Sequence, residues 1–212
     1  MKIVQRTRDL VSAALKSYGP SNIKKILWDK EFSGGKWNFI DNTEGDCVYA
    51  HLEKFARGGN ILDLGCGPGN TANEVAGSAY RSYVGVDISK AALDKGARRS
   101  EQAGRGDKNR FVCEDFINYV PAEKFDVILF RESMYHVPLG KVKATLDRYS
   151  KYVKDGGVFI VRLRTPDGTR SKEKHRPKAM VGIIESEFEV VEKGLYGEAE
   201  STVIVFRPSH RG

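Results

Sequence analysis

The chain has 212 residues, enough for one α/β domain with a full hydrophobic core and short for two. Its 40% hydrophobic and 30% charged residues match an ordinary soluble globular protein, and no apolar run approaches the roughly 20 residues that span a bilayer. The net charge of +7 favours anionic partners, and it gathers in two places: seven basic residues against Asp9 and Asp29 within 1–30, and seven against Asp167 and Glu173 within 162–178.

From the N-terminus, Met1 to Arg6 lead into a polar segment, so export is not expected and the chain is assigned to the cytoplasm. Cys47, Cys66 and Cys113 are scattered and odd in number, which fits a reducing compartment, and neither they nor the four histidines show metal-site spacing. Residues 1–18 carry mixed helical periodicity (Val4, Leu10, Val11, Ala14, Leu15) and stop at Tyr18-Gly19-Pro20. The stretch 28–42 is aromatic, holds both tryptophans and is broken by Gly34-Gly35, and it reads as an ordered loop. Asp41 to Phe55 reads as a helix ended by Gly58-Gly59. Residues 1–57 are thus expected to be helices and an aromatic lid segment ahead of a core at 58–212, within one domain.

Strand candidates rich in Val, Ile, Leu and Phe follow at 60–64, 82–87, 109–114, 124–130, 157–163, 187–193 and 201–207. Helical stretches fall between the first five, at 69–78, 89–103, 115–120 and 139–154. This alternation implies a parallel sheet covered by helices on both faces. Only the short turn from Gly194 to Glu200 separates the last two strands, so they form an antiparallel hairpin at one edge. The expected fold is α/β, a seven-stranded, mostly parallel sheet with one reversed strand.

Ile61-Leu62-Asp63-Leu64 runs into Gly65-Cys66-Gly67-Pro68-Gly69, and Asn70-Thr71-Ala72 opens a helix. A glycine-rich turn there lets the backbone approach a ligand, and the helix start adds unpaired amides. Nicotinamide, flavin and adenosylmethionine binders all use such a turn, but the G-x-G-x-G spacing departs from the dinucleotide G-x-G-x-x-G. Asp87, roughly 20 residues on and at the end of the second strand, is placed to hold both hydroxyls of a ribose, with Ile88 beside it and Ser89 capping the next helix. Asp115 and Phe116 close the third strand with an acid and a ring, suited to an adenine amino group and face; a loop acid followed by a core Phe is the plainer alternative.

These elements, with the late Lys154-Asp155-Gly156-Gly157 turn into the fifth strand, resemble the class I S-adenosylmethionine-dependent methyltransferases over residues 58–207. The resemblance implies that Asp63 and Gly65, Cys66, Gly67 and Gly69 lie along the methionine portion of S-adenosylmethionine. Asp87 and Ile88 would hold the ribose, Asp115 and Phe116 the adenine, and Arg131 joins this cofactor set. S-Adenosylhomocysteine is the product implied.

In an open α/β sheet the ligand crevice lies beyond the carboxyl ends of the strands, so Arg131 to Pro138, after the fourth strand, should face the methyl group. His136 is the expected general base for an acceptor hydroxyl, with Glu132 orienting it or holding the acceptor, against the plainer reading of a packed helix-start histidine. The segment resembles the E-x-x-E-H-V-P stretch of ubiquinone-pathway O-methyltransferases and small-RNA 2′-O-methyltransferases, where acids and histidine bind a divalent metal. Tyr135 replaces the second acid, so the metal is left open. Glu132-Ser133-Met134-Tyr135-His136 is also similar to small nodulation-type and sugar-modifying methyltransferases. These share the W-D-x-E-x-x-x-G-x-W entry seen at Trp28 to Trp37 and a Val-x-x-Phe-Arg-Pro ending like Val203 to Pro208.

Trp28, Trp37 and Phe39 form either a water-excluding lid or a satellite core. Arg164 and the rest of the basic run Arg162–Lys178 follow the fifth strand on the crevice side, as an attractor of an anionic or glycan-linked acceptor or as a solvated face. The leading expectation is therefore O-methylation of a small-molecule hydroxyl on a sugar, glycoside or natural product. N-methylation of an amino sugar or metabolite comes second, and a role on RNA is third because no aromatic-basic interleaving for stacked bases is seen. A monomer or homodimer with no membrane partner is expected.

Overall fold

The computed structural model describes residues 2–164, 171–197 and 201–209; within the first and last helices, side chains are described from Leu10 and from His175 onward. Seven strands, β1 (Gly59–Leu64), β2 (Tyr80–Asp87), β3 (Asn109–Cys113), β4 (Phe125–Arg131), β5 (Val153–Leu163), β6 (Glu189–Tyr196) and β7 (Ser201–Arg207), form one sheet in the order β3-β2-β1-β4-β5-β7-β6. β1 to β5 pair in parallel, and β7 runs antiparallel to both β5 and β6, so β7 is the reversed strand. The hairpin closes with Tyr196 paired to Ser201, and Gly197, which follows Tyr196, has a φ of 67° in the left-handed region.

Period-2 alternation sorts the strands into two faces. Leu62, Leu64, Ile128, Phe130, Phe159 and Val161 belong to one buried cluster, together with side chains of α6 (Val142–Ser150) and α7 (Ser171–Glu187). Ile61, Val127, Leu129, Val158 and Ile160 belong to the other, with Val48 and Leu52 of α3 (Cys47–Ala56). Shorter α4 (Asn70–Glu74) and longer α5 (Lys90–Gln102) follow β1 and β2, and α1 (Lys2–Tyr18) and α2 (Ser21–Ser33) precede the core.

Three local expectations are corrected. Residues 28–33 are helical, not loop: Trp28 and Phe32 stand one turn apart on α2, which ends where Gly34 N–H bonds back to the Lys30 carbonyl and Gly35 N–H to the Phe32 carbonyl. The expected helical stretch around 115–120 is instead a short turn at 116–118, where the Asp115 carboxylate accepts the Ile117 amide at 3.0 Å and closes the backbone locally. α7 follows β5 as a helix that the sequence pattern did not mark, its period interrupted by Pro177 and the basic run.

Candidate active site

Strand order reverses at β1, whose neighbours are β2 on one side and β4 on the other. Beyond the carboxyl ends of these strands lies a cavity of ≈ 460 Å³. The glycine loop forms its floor with Gly65, Cys66 and Gly67. Gly67 has φ 53°, and a Cβ there would project toward Phe32, with nothing nearer than its Cζ at 3.8 Å. The loop backbone is therefore open to a ligand. Gly69 and Asp63 are not on the cavity wall: Gly69 is the N-cap of α4, and Asp63, 1% exposed, lies behind the loop and accepts the Tyr83 hydroxyl at 2.8 Å. Burial pushes the Asp63 carboxyl up to about 6, against the pull of Tyr83.

Asp87 and Ile88 line the next portion. The Asp87 carboxylate accepts the Gly67 amide at 2.9 Å and the Ser89 amide at 2.8 Å, one bond on each oxygen. Each oxygen keeps a lone pair for a ligand hydroxyl. Enclosure drives this carboxyl up to about 6, offset by the two amides. Asp115 and Phe116 stand at the end of β3 with Ile117. Here the sequence missed two partners: Ser21 Oγ and Lys24 Nζ of α2 both donate to Asp115 Oδ2, at 2.9 and 3.1 Å. Nothing local in the sequence links α2 to a residue more than 90 positions away.

The opposite wall is aromatic. Trp28, Phe32 and Trp37 have ring centroids 5.7 to 6.2 Å apart, and the Trp28 ring meets His136 edge-on at 5.0 Å. Phe39 packs on Trp37 at 5.7 Å and reaches the rim, where it is 73% exposed. Lys16, which the sequence offered only as one of the basic residues of 1–30, lies 4.1 Å over the Trp28 ring and pairs with Glu31, which also accepts the Trp37 indole N–H at 3.0 Å. Burial lowers the Lys16 pKa despite Glu31. The structure thus gathers Trp28, Trp37 and Phe39 at the cavity as a group, and the helical pair Trp28–Phe32 was the signal available for the missing ring.

Arg131, Glu132, Tyr135 and His136 complete the cavity from β4, with Arg164 from the end of β5. Arg131 donates from Nε and Nη2 to Asp46 Oδ2, at 3.1 and 2.7 Å, while Asp46 Oδ1 caps α3 through the Val48 amide. Burial raises the Asp46 pKa, but Arg131 and Arg162 together hold it below the usual carboxylate range. Glu132 has φ 54°, a left-handed conformation rare outside glycine. Its Oε1 pairs with Arg162 at 2.8 Å and its Oε2 lies 3.0 Å from the Tyr135 hydroxyl, which is also 2.7 Å from the Arg164 carbonyl. Burial raises the Glu132 pKa, and Tyr135 is raised by burial and by Glu132. Burial, then Lys16, Arg176 and Lys24, lowers His136 to about 4, so its imidazole is neutral at physiological pH.

Of the basic run, Arg164 lines the cavity, Arg162 turns to Glu132 and Asp46, and Arg176 donates to the Val137 carbonyl at 3.0 Å. Lys178 is exposed; Arg170, Lys172 and Lys174 lie outside the residues whose side chains are described. Among the described residues no group of three or more His, Cys, Asp or Glu side chains converges as a metal site. No helix of the described residues is long and apolar enough to cross a membrane.

Comparison with known proteins agrees with this geometry. A family model described as a methyltransferase domain matches residues 46–184. The chain is 30% identical over 122 residues to a sterol 24-C-methyltransferase of Yarrowia lipolytica, covering 56% of this chain and 32% of that protein. It is 31% identical over 140 residues to probable thiol methyltransferase 2 of Arabidopsis thaliana, covering 64% and 60%. The chain therefore spans about a third to three fifths of the length of these relatives. Two solved structures share the fold. The N-methyltransferase NodS of Bradyrhizobium japonicum WM9 with S-adenosylhomocysteine has TM-score 0.66 at 16% identity, over 88% of this chain and 98% of that one. Magnesium protoporphyrin IX methyltransferase of Synechocystis PCC 6803 with S-adenosylhomocysteine has TM-score 0.65 at 18% identity, over 88% and 100%. This chain belongs to the S-adenosylmethionine-dependent methyltransferases.

The residues present fit that cofactor. Gly67 leaves room where any side chain would enter the cavity, Asp87 has spare acceptor capacity for ribose hydroxyls, and Phe116, Ile88 and Ile117 offer apolar faces beside Asp115.

Proposed function

We propose that the protein methylates a small acceptor with an apolar body whose nucleophilic atom sheds its proton without a strong base, a thiol above all. The observation that carries this is the acceptor-side wall: Trp28, Phe32 and Trp37 enclose it, and His136 beside them is held neutral with a pKa of about 4. S-Adenosylmethionine supplies an electrophilic methyl group on a sulfonium. The protein's part is to align the acceptor, exclude water and settle the acceptor's protonation.

A base whose conjugate acid has a pKa near 4 takes a proton poorly from an alcohol, which holds it almost as tightly as water does, at about 15.7. A thiol releases its proton near about 8.5. Lys16, Lys24 and Arg176, whose charges oppose protonation of His136, favour a thiolate placed beside it. His136 then serves as a neutral partner that positions the acceptor against the Trp28 ring. The likeness to a probable thiol methyltransferase supports the same choice. O-methylation of a sugar hydroxyl with His136 as base, favoured by the sequence alone, asks for a more basic imidazole and a more polar wall. N-methylation is the second reading, because the same positive potential keeps an amine in its nucleophilic free-base form.

The test follows S-adenosylhomocysteine release across matched aromatic thiols, phenols, amines and sugars. Thiol turnover should lead, and His136→Ala should retain at least about a tenth of it. A sugar as the best acceptor, with its turnover abolished in His136→Ala, overturns the reading.

A further inference from the structure

The order of strands fixes which end of the cofactor meets which residue. Asp87 and Asp115 lie at the ends of β2 and β3, on one side of β1, and the sequence assigns them ribose and adenine. The amino-acid end of the cofactor then falls on the other side of the glycine loop, at the boundary of β1 and β4. There Asp63 stands opposite Leu129 in register, so Gly65 and Arg131, each two residues further, flank the same point of the crevice. That end carries a carboxylate, and a buried carboxylate needs a cation or several donors.

Among the described residues, four that are cationic line the cavity, Lys16, Lys24, Arg131 and Arg164. Lys24 is committed to Asp115 on the adenine side, Lys16 to Glu31 under the Trp28 ring, and Arg164 comes from beyond β5. Arg131 alone of these is beside the glycine loop. Its hydrogen bonds to Asp46 use Nε and Nη2, and its Nη1 has no hydrogen bond among the described residues. The guanidinium is also held from behind: Asp46 is pinned by the Val48 amide at 3.0 Å and by Arg162 at 3.4 Å, and the Tyr49 ring lies 5.4 Å from the Arg131 Cζ. An arginine fixed on two donors with a third edge facing the cavity is an oriented receptor for one anionic group. Neutralising Asp46 is not its whole role, since Arg162 also stands against that carboxylate.

We propose that Arg131 Nη1 receives the methionine carboxylate of the cofactor, and that Asp46 is the positioning residue that aims it. The proposal rests on S-adenosylmethionine being the cofactor, not on the identity of the acceptor. A carboxylate on the acceptor is the other source of the same chemistry, and the ligands below separate the two.

The test is calorimetric binding of S-adenosylhomocysteine and of 5′-methylthioadenosine, which keeps the nucleoside and lacks the amino-acid group, to the full chain. Arg131→Met should weaken S-adenosylhomocysteine at least about 10-fold and leave 5′-methylthioadenosine within about 2-fold. Arg131→Lys, which keeps the charge and loses the fork, should fall between, and it carries the test if the methionine variant does not fold. Asp46→Asn should shift S-adenosylhomocysteine in the same sense by less. Equal losses for both ligands would make Arg131 a structural residue only. Unchanged binding of both, with a raised KM for a carboxylate-bearing acceptor, would give the receptor to the acceptor. Either overturns the proposal. Failure of the unaltered protein to bind S-adenosylhomocysteine would strike the cofactor reading itself, a separate outcome.

Discussion

Asp29 and Ser89, 60 positions apart in the chain, are joined by a hydrogen bond of 2.8 Å from the Ser89 hydroxyl to Asp29 Oδ1. The same oxygen accepts the Ala91 amide at 3.1 Å, while Ser89 Oγ accepts from Ala92 at 3.2 Å. A residue of α2 thus completes the N-terminus of α5, directly after Asp87. Ser21 and Lys24, about two turns and one turn earlier in α2, bind Asp115. α2 has no buried residue, so these polar ties and the aromatic cluster hold it across the cavity.

Loss of the Asp29 ties should therefore loosen the cover of the cofactor site. Asp29→Ala removes two hydrogen bonds and a negative charge at a helix N-terminus, which together stabilise by about 1–2 kcal/mol. The melting temperature should fall by a few degrees, and S-adenosylhomocysteine should dissociate several-fold faster in stopped-flow. Asp29→Asn, keeping an acceptor oxygen, should show a smaller change in both. Dissociation as slow as in the unaltered protein would show that α2 does not retain the ligand.

At Asp87 the two carboxylate oxygens face two amide donors, Gly67 and Ser89. In Asp87→Asn one of those donors meets an NH2 group, and the charge that ribose hydroxyls would use is gone. S-Adenosylhomocysteine affinity should drop about 10- to 100-fold, the worth of one to two charge-assisted bonds. The carboxyl pKa, pushed up to about 6 by burial, adds a pH signature. Affinity of the unaltered protein should decline as pH falls through about 6, where the carboxylate takes a proton, while the Asn variant stays flat. Isothermal titration between pH 5 and 8 reads both. A flat profile in the unaltered protein contradicts the role given to Asp87.

His136 makes an acid-sensitive contribution to stability. Its folded-state pKa of about 4 lies below the ordinary 6.5, so the ring is neutral in both states at high pH. As pH falls from 6.5 toward 4, the unfolded chain takes up a proton that the folded protein resists, and stability declines by up to about 1.4 kcal/mol per pH unit. Asp63 and Asp87, raised to about 6, act in the opposite sense: the folded state binds their protons more readily between about 6 and 3.8. The comparison that isolates the imidazole is His136→Phe, which keeps a ring against Trp28. Urea unfolding at pH 7 and 5 should show a smaller acid loss in the variant. Parallel losses in the two proteins would mean that the imidazole protonates freely in the fold.

The parts of this fold that were legible in the sequence are those specified by neighbouring residues. The nearly unbroken apolar runs Ile61-Leu62-Asp63-Leu64 and Val127-Ile128-Leu129-Phe130 mark strands buried on both faces, and the short link between Tyr196 and Ser201 dictates the hairpin. The helical half of Trp28–Trp37 was hidden because Gly34-Gly35 interrupts an aromatic run whose contacts are tertiary. Lys16 and Lys24 could not be picked from other surface lysines, since only the fold brings them to Trp28 and Asp115. The left-handed Glu132 carries no local sequence signal, and the Arg162 guanidinium that pairs with its carboxylate comes from the neighbouring strand β5 and meets it only in the fold.

The glycine loop repeats one residue type for two physical reasons, and a pair of substitutions separates them. Gly67 has φ 53°, and its added Cβ would stand in the cavity, 3.8 Å from Phe32 Cζ. Gly67→Ala should cost about 1–2 kcal/mol of backbone strain and weaken S-adenosylhomocysteine by occupying its space. Gly69 has φ 70°, and its Cβ would come within 2.9 Å of the Phe111 ring and 3.0 Å of the Gly96 Cα, where α5 packs on the loop. Gly69→Ala adds overpacking of about 1–3 kcal/mol to similar strain, so it should lower the melting temperature well beyond Gly67→Ala. Any loss of ligand affinity in Gly69→Ala should follow from lost folding, and should disappear when affinity is expressed per folded molecule. Thermal melts with titrations on the same samples test this. A Gly69→Ala protein as stable as Gly67→Ala would mean that Phe111 and α5 yield at that contact, and that the close approach of helix and loop does not require glycine.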